Sequence, residues 1–317
     1  MIRIQKTVDS IPRNTSCKHQ EQAIVHDSGH RHIVQSYLTL FKIKIALSSA
    51  LSAATASILV NSAVSAGTFI SAAGVFLLAC GAGTLNQFQE KERDALMFRT
   101  QARPIPSGRI APLEALYAAV LLFVIGFLIL SLAGNLIVSG LGMFAILWYN
   151  LVYTYLKKIT AFAAVPGALT GVIPPAIGWV TGGGGLSDIR LAAICFFFFM
   201  WQVPHFWLLL LSHAEDFRNA QTPSLNKVFG SEQLTKITAV WMSAVAVSSL
   251  LIPFYGVSSP TVITVTLVSA AAWLAWNSLT LYRQREYKSV FVSTFRNINI
   301  FIVAVMLLLN AGSLFPR

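Results

Sequence analysis

Nine apolar runs constrain this chain more than any other feature of its sequence: 37–60, 67–87, 112–133, 136–156, 162–181, 188–211, 236–256, 259–281 and 297–315. About 20 apolar residues in a helix cross the hydrocarbon core of a bilayer. Lipid offers the backbone no hydrogen-bond partners, so repeated runs of this length permit helices and little else. The predicted fold is therefore all-α: a polytopic membrane protein, a bundle of nine transmembrane helices. Composition agrees, with 55% hydrophobic and 11% charged residues, where a soluble domain carries about 25% charged. Asn150, Pro166, Pro174 and Pro175 fall inside the fourth and fifth runs and predict kinks there.

The charges lie between the runs. If the termini are put on opposite sides, as nine crossings require, 21 of the 23 Lys and Arg residues fall on the side of the N-terminus, leaving Arg190 and Arg317 on the other. The positive-inside rule then puts the N-terminus in the cytoplasm and the C-terminus outside, and a bacterial inner membrane is the expected location. The net charge of +11 is explained by orientation, and nucleic acid is not an expected partner; the lipid bilayer is. Residues 1–35 read as a polar cytoplasmic tail and 36–317 as the membrane domain. The tail lacks the apolar core of a secretory signal, and its His26, His30 and His32 read as part of a mobile segment. Cys17, Cys80 and Cys195 share no metal-site or disulfide spacing, and the sequence has no H-E-x-x-H motif and no Walker A loop.

The chain holds only 12 acids, and three of them stand within five positions: Glu90, Glu92 and Asp94. Asn86, Glu90 and Asp94 are spaced four apart. On a helix each such step advances the azimuth by about 40°, so the three would form a ladder on one face. Such a ladder suits Mg²⁺, which takes hard oxygen ligands and shares them with substrate phosphates. Arg93, Arg99, Arg103 and Arg109 could then meet the remaining phosphate oxygens. On spacing alone, a solvated membrane-edge helix explains the same residues equally well. A second charged loop, His213 to Asn219, offers adjacent Glu215 and Asp216. Since the acids outside the tail gather at cytoplasmic helix ends, a chemical site at the mouth of a bundle fits better than a conduction path, which would set ionisable groups near the midplane.

These residues resemble a known family. Asn86-x-x-x-Glu90-x-x-x-Asp94, followed by Arg103-Pro-Ile-Pro-Ser-Gly-Arg109, is similar to the first signature of the UbiA-type intramembrane prenyltransferases, with Glu90 where Asp is commoner. Trp201-Gln-Val-Pro-His-Phe-Trp207, Glu215-Asp-Phe-Arg-Asn-Ala220 with Pro223, and Tyr153-x-Tyr-Leu-Lys-Lys-x-Thr160 resemble its protohaem IX farnesyltransferase branch. So do Ile173-Pro-Pro-Ala-Ile-Gly-Trp179 and Met97-x-Arg-Thr-x-x-Arg-Pro104. The sequence departs from that branch at Lys42-Ile-Lys44 and Pro223-Ser-Leu-Asn226.

The resemblance implies a bundle around a central apolar cavity open to the cytoplasm, and a farnesyl group transferred from farnesyl diphosphate to a vinyl group of haem B. It implies Mg²⁺ held by Asn86, Glu90 and Asp94 and by Glu215 and Asp216. Arg99, Arg103, Lys157 and Lys42 would bind the isoprenoid diphosphate, and His205 and Trp201 the haem. A haem A synthase or terminal oxidase assembly component would be a partner. The alternatives are a UbiA-type enzyme with a hydroxybenzoate, naphthoate or chlorophyllide acceptor, and, outside enzymes, a transporter or respiratory-complex assembly factor.

Overall fold

The computed structural model describes residues 33–214, 225–257, 261–283 and 288–315. Among these it holds nine helices long and apolar enough to cross a membrane, and no strand. They are α1 Ile43–Asn61, α2 Ala66–Gln89, α3 Pro112–Ser131, α4 Leu136–Ile159 and α5 Ala161–Thr181, followed by α6 Ile189–Ser212, α7 Val228–Phe254, α8 Thr261–Arg283 and α9 Lys288–Leu314. Several helix starts carry recognisable signals. Pro112 opens α3 with Glu114 in its first turn. Asn135 accepts a hydrogen bond from the Ile137 amide at the start of α4, and Asp188 does the same for Arg190 at α6. These side chains satisfy amides that have no partner inside the helix.

The bundle has two apolar clusters. One joins Ala53 of α1, Val75 and Leu78 of α2, Leu130 of α3, Val138 of α4 and Ile173 and Ile177 of α5. The larger one draws on α6 to α9 and also includes Ala56 and Leu59 of α1 and Ala176 and Trp179 of α5. α1 and α5 thus belong to both, and they touch backbone to backbone: a Cβ on Gly178 would lie 1.9 Å from the Ala53 carbonyl oxygen. α9 closes the bundle against α1, with Asn310 donating to Thr55 at 3.1 Å and Ser313 to the Ile58 carbonyl at 3.4 Å. Both pairs are 255 residues apart, so α9 and α1 run parallel in fixed register.

Three irregularities shape the interior. α1 starts at Ile43 because the chain turns at Phe41–Lys42 after a separate helical segment at 33–40; the sequence pattern had merged the two. In α4, Trp148–Tyr153 form a π turn, where the backbone around Asn150 is tied to α2 by Asn150 donating to the Ala82 carbonyl at 3.1 Å and Gln89 to the Asn150 carbonyl at 3.2 Å. In α6, Pro204 has no N–H for the Met200 carbonyl, which instead accepts from the Trp241 indole of α7 at 2.9 Å.

Candidate active site

Asn86 lies in the last turn of α2, and Glu90 ends that helix at φ −112°, ψ 9°; Asp94 sits in a separate short helix, Lys91–Leu96. The ladder is therefore broken at its middle rung, yet its side chains still converge. They are only 2%, 7% and 4% exposed, so they do not form a solvated face. Each is matched to one cation. Lys42 donates to Asn86 Oδ1 at 2.8 Å, Lys157 to Glu90 Oε2 at 2.7 Å and Arg103 to Asp94 Oδ2 at 2.6 Å. The Asn86 amide also bridges to Glu90 Oε2 and to Thr154 Oγ1, both at 3.1 Å. Buried charge is tolerated where it is paired and hydrogen-bonded in this way.

The electrostatics follow from burial and pairing. Burial alone would raise the Glu90 carboxyl, but Lys157, Lys42 and the Asn86 bond outweigh it and hold the group below the usual carboxylate range. Lys42 is pushed down to about 7, first by burial and then by Arg103 and Lys157, with Glu90 and Asp94 opposing. Its backbone is left-handed, at φ 50°, ψ 45°, a strained state for a residue with a side chain. Gly83 of α2 leaves room for its stem, since a Cβ there would meet Lys42 Cδ at 3.2 Å.

This array stands at a cavity of about 1400 Å³ that Arg93 and Arg99 also line. Arg109 does not join them: it donates to Ser107 at 2.9 Å and Ser36 at 3.4 Å, and to the Ala102 carbonyl, and so staples its own loop. The π turn sets Tyr149, Tyr153 and Lys157 in line. Tyr149 stacks on Tyr153 at 5.8 Å and Tyr153 on Phe206 of α6 at 5.7 Å, while Lys157 Nζ lies 5.4 Å from the Tyr153 ring. Sequence reasoning missed both tyrosines as site residues, although Tyr149, Tyr153 and Lys157 follow one another at steps of four, which carried the signal.

Farther along the wall, His205 packs between Trp201 at 4.7 Å and Phe295 of α9 at 4.8 Å, beside the Asn299 side chain. Its Nδ1 is buried without a hydrogen-bond partner. Trp201 lines the cavity, but its indole N–H donates to the Ile298 carbonyl at 3.0 Å. His213 turns back to the Leu209 carbonyl at 3.2 Å. Glu215, Asp216 and Pro223 lie outside the described residues.

The model of the UbiA prenyltransferase family matches residues 46–305. The chain belongs to that family. It is 39% identical over 223 residues to the Protoheme IX farnesyltransferase of Geobacter sulfurreducens, covering 70% of this chain and 82% of that one. The protein of the same name from Oleidesulfovibrio alaskensis is 33% identical over 232 residues, 73% of this chain and 82% of the relative. The fold is shared with a digeranylgeranylglyceryl phosphate synthase structure at TM-score 0.71 and 14% identity, covering 89% of this chain and 99% of that one. A UbiA homolog from Archaeoglobus fulgidus bound to GPP and Mg²⁺ aligns at TM-score 0.65 and 14% identity, over 86% and 99% of the two chains. This UbiA-family member is thus a membrane-embedded prenyltransferase, not a transporter or a non-catalytic assembly factor, and its paired acids and cations border the cavity described above.

Proposed function

We propose that the chain transfers a farnesyl group from farnesyl diphosphate to a vinyl group of protohaem IX, making haem O in a bacterial inner membrane with its N-terminus in the cytoplasm. The observation that carries the reading is the name and extent of the curated relatives, Protoheme IX farnesyltransferases matched along 82% of their length. The site chemistry supports it. Asn86, Glu90 and Asp94 offer three buried, converging hard-oxygen donors, a set that fits Mg²⁺; Glu215 and Asp216 complete the proposed ligand set. When bound, the metal would supply positive charge for the leaving diphosphate.

The remaining work falls to side chains. Lys42, Lys157, Arg103 and Arg99 bind the diphosphate and stabilise the charge it gains as the allylic C–O bond breaks. Tyr149, Tyr153 and Phe206 form an apolar wall that keeps water from the allylic cation. The terminal carbon of the haem vinyl group then bonds to that cation. Water adds to the ring-side carbon and releases a proton, leaving a hydroxyethylfarnesyl group. Trp201 and His205 hold the porphyrin. A haem A synthase or a terminal oxidase assembly component is the proposed partner that takes the product.

The test uses membranes containing the protein, supplied with haem B, farnesyl diphosphate and Mg²⁺. The expected product is haem O, detected by mass spectrometry. Absence of a haem product, together with prenylation of a hydroxybenzoate or naphthoate, would overturn the reading.

A further inference from the structure

The cavity holds a cation that the diphosphate array does not use. Arg296 projects from α9, where Arg296, Asn299, Ile300, Val303 and Leu307 all line the cavity. Their spacing of three, four, seven and eleven puts them on one helix face. Arg296 is exposed, and among the described residues it has no ion pair or hydrogen-bond partner. Lys42, Lys157 and Arg103, by contrast, are each committed to one member of the ladder.

The parallel register of α9 on α1 sets the depth of Arg296. With Thr55 level with Asn310 and Ile58 with Ser313, Lys42 is level with position 297. Arg296 therefore stands at the polar end of the cavity, while Ile300, Val303 and Leu307 continue toward its apolar end. Laterally it belongs to the acceptor wall. Its neighbour Phe295 packs on His205, Asn299 lies beside the same ring, and Trp201 is bonded to Ile298 one turn away. Arg296 thus presents a guanidinium at this exposed, polar end of the cavity. Its planar fork matches a carboxylate in two-point contact.

We propose that Arg296, assisted by Asn299, anchors a carboxylate of the planar acceptor, a propionate where the acceptor is haem, and so orients the ring against Trp201 and His205. This rests on the reading that an acid-bearing planar acceptor enters the cavity. It separates two anion sites: α2 and α4 hold the diphosphate, and α9 holds the acceptor's acid.

The experiment is a titration of purified full-length protein with haem B and with haem dimethyl ester, followed in the Soret band. Calorimetric titration with inorganic pyrophosphate and Mg²⁺ is run in parallel. Wild type should bind the diacid more tightly than the ester. Arg296→Gln should weaken haem B binding roughly tenfold or more, the scale of one charge-assisted hydrogen bond. The ester should then bind as well as the acid, with pyrophosphate binding unchanged. Arg296→Lys should restore part of the preference, and melting curves check that both variants fold. Equal haem binding by wild type and Arg296→Gln would overturn the proposal, as would loss of pyrophosphate binding in the variant. If wild type binds no haem, the haem reading fails by itself. The same comparison with a naphthoate and its methyl ester then decides on Arg296: an effect confined to the acid supports the anchor, and an equal effect on both removes it.

Discussion

Glu90 is the residue at which the chain departs most sharply from the usual first signature of its family, and the surrounding geometry is fitted to the longer side chain. Its Oε2 reaches Lys157 at 2.7 Å and the Asn86 amide at 3.1 Å, and its backbone closes α2. Restoring the commoner residue should therefore harm this protein. Glu90→Asp withdraws the carboxylate by about one bond length and breaks a charge-assisted contact, so kcat/KM should fall on the order of tenfold, with a raised Mg²⁺ requirement. Steady-state kinetics across a Mg²⁺ series checks this; unchanged rates and Mg²⁺ dependence would show that the Lys157 contact does not position the carboxylate. Spacing alone left the three residues balanced between a ladder and a solvated helix; their burial decides against the solvated face, and their partners were not legible at all. Lys42 is 44 residues from Asn86 and Lys157 is 67 from Glu90, and no periodicity within one helix reports contacts that distant. Arg109 shows the opposite case: its nearness to the ladder in sequence suggested a phosphate contact, yet local hydrogen bonds hold it in its own loop.

At the scale of the helices, hydropathy located the spans and Asn150 marked the irregular turn in α4, while the polar opening of α9 went unread. The run at 162–181 and the helix Ala161–Thr181 differ by one residue at the start, whereas the run at 297–315 begins nine residues after Lys288 opens α9. That helix opens with Lys288, Arg296 and Asn297; Arg296 lines the cavity and Asn297 donates to Asn277 of α8 at 2.7 Å. Polar residues that face a cavity or a neighbouring helix lower the hydropathy without ending the span. Close approach is equally silent in a hydropathy profile. Gly178 is one of 20 glycines, but it is where α5 meets the Ala53 carbonyl of α1. Gly178→Ala must push these helices apart and should destabilise the bundle by about 1–3 kcal/mol, the usual cost of overpacking. Gly185→Ala, with nothing within 4 Å of the added carbon, should be neutral. Melting of the two variants in detergent reads the difference; equal melting temperatures would mean that the α1–α5 contact is not tight.

The molecule as a whole gathers its buried acid–cation pairs at one end of the bundle, and charge asymmetry predicts which side of the membrane that end faces. Among the described residues, the connection between α2 and α3 carries Lys91, Arg93, Arg99, Arg103 and Arg109, whereas the connection between α5 and α6 carries no Lys or Arg. Lys and Arg resist transfer across the membrane during insertion, so the first connection should remain cytoplasmic, where a water-soluble diphosphate head is accessible. Lys157, near the end of α4, reaches the same site, as an even-numbered span returning to that side must. Gln101 and Gly185 are both exposed, one in each connection, and each can carry a single cysteine once Cys17, Cys80 and Cys195 are replaced. In intact cells a membrane-impermeant maleimide should label Gly185→Cys and leave Gln101→Cys untouched until the membrane is opened. The reverse pattern would invert the topology and turn the acid ladder outward. Labelling of both sites in intact cells would mean mixed insertion, and the 21-to-2 division of basic residues would then not be what orients this chain.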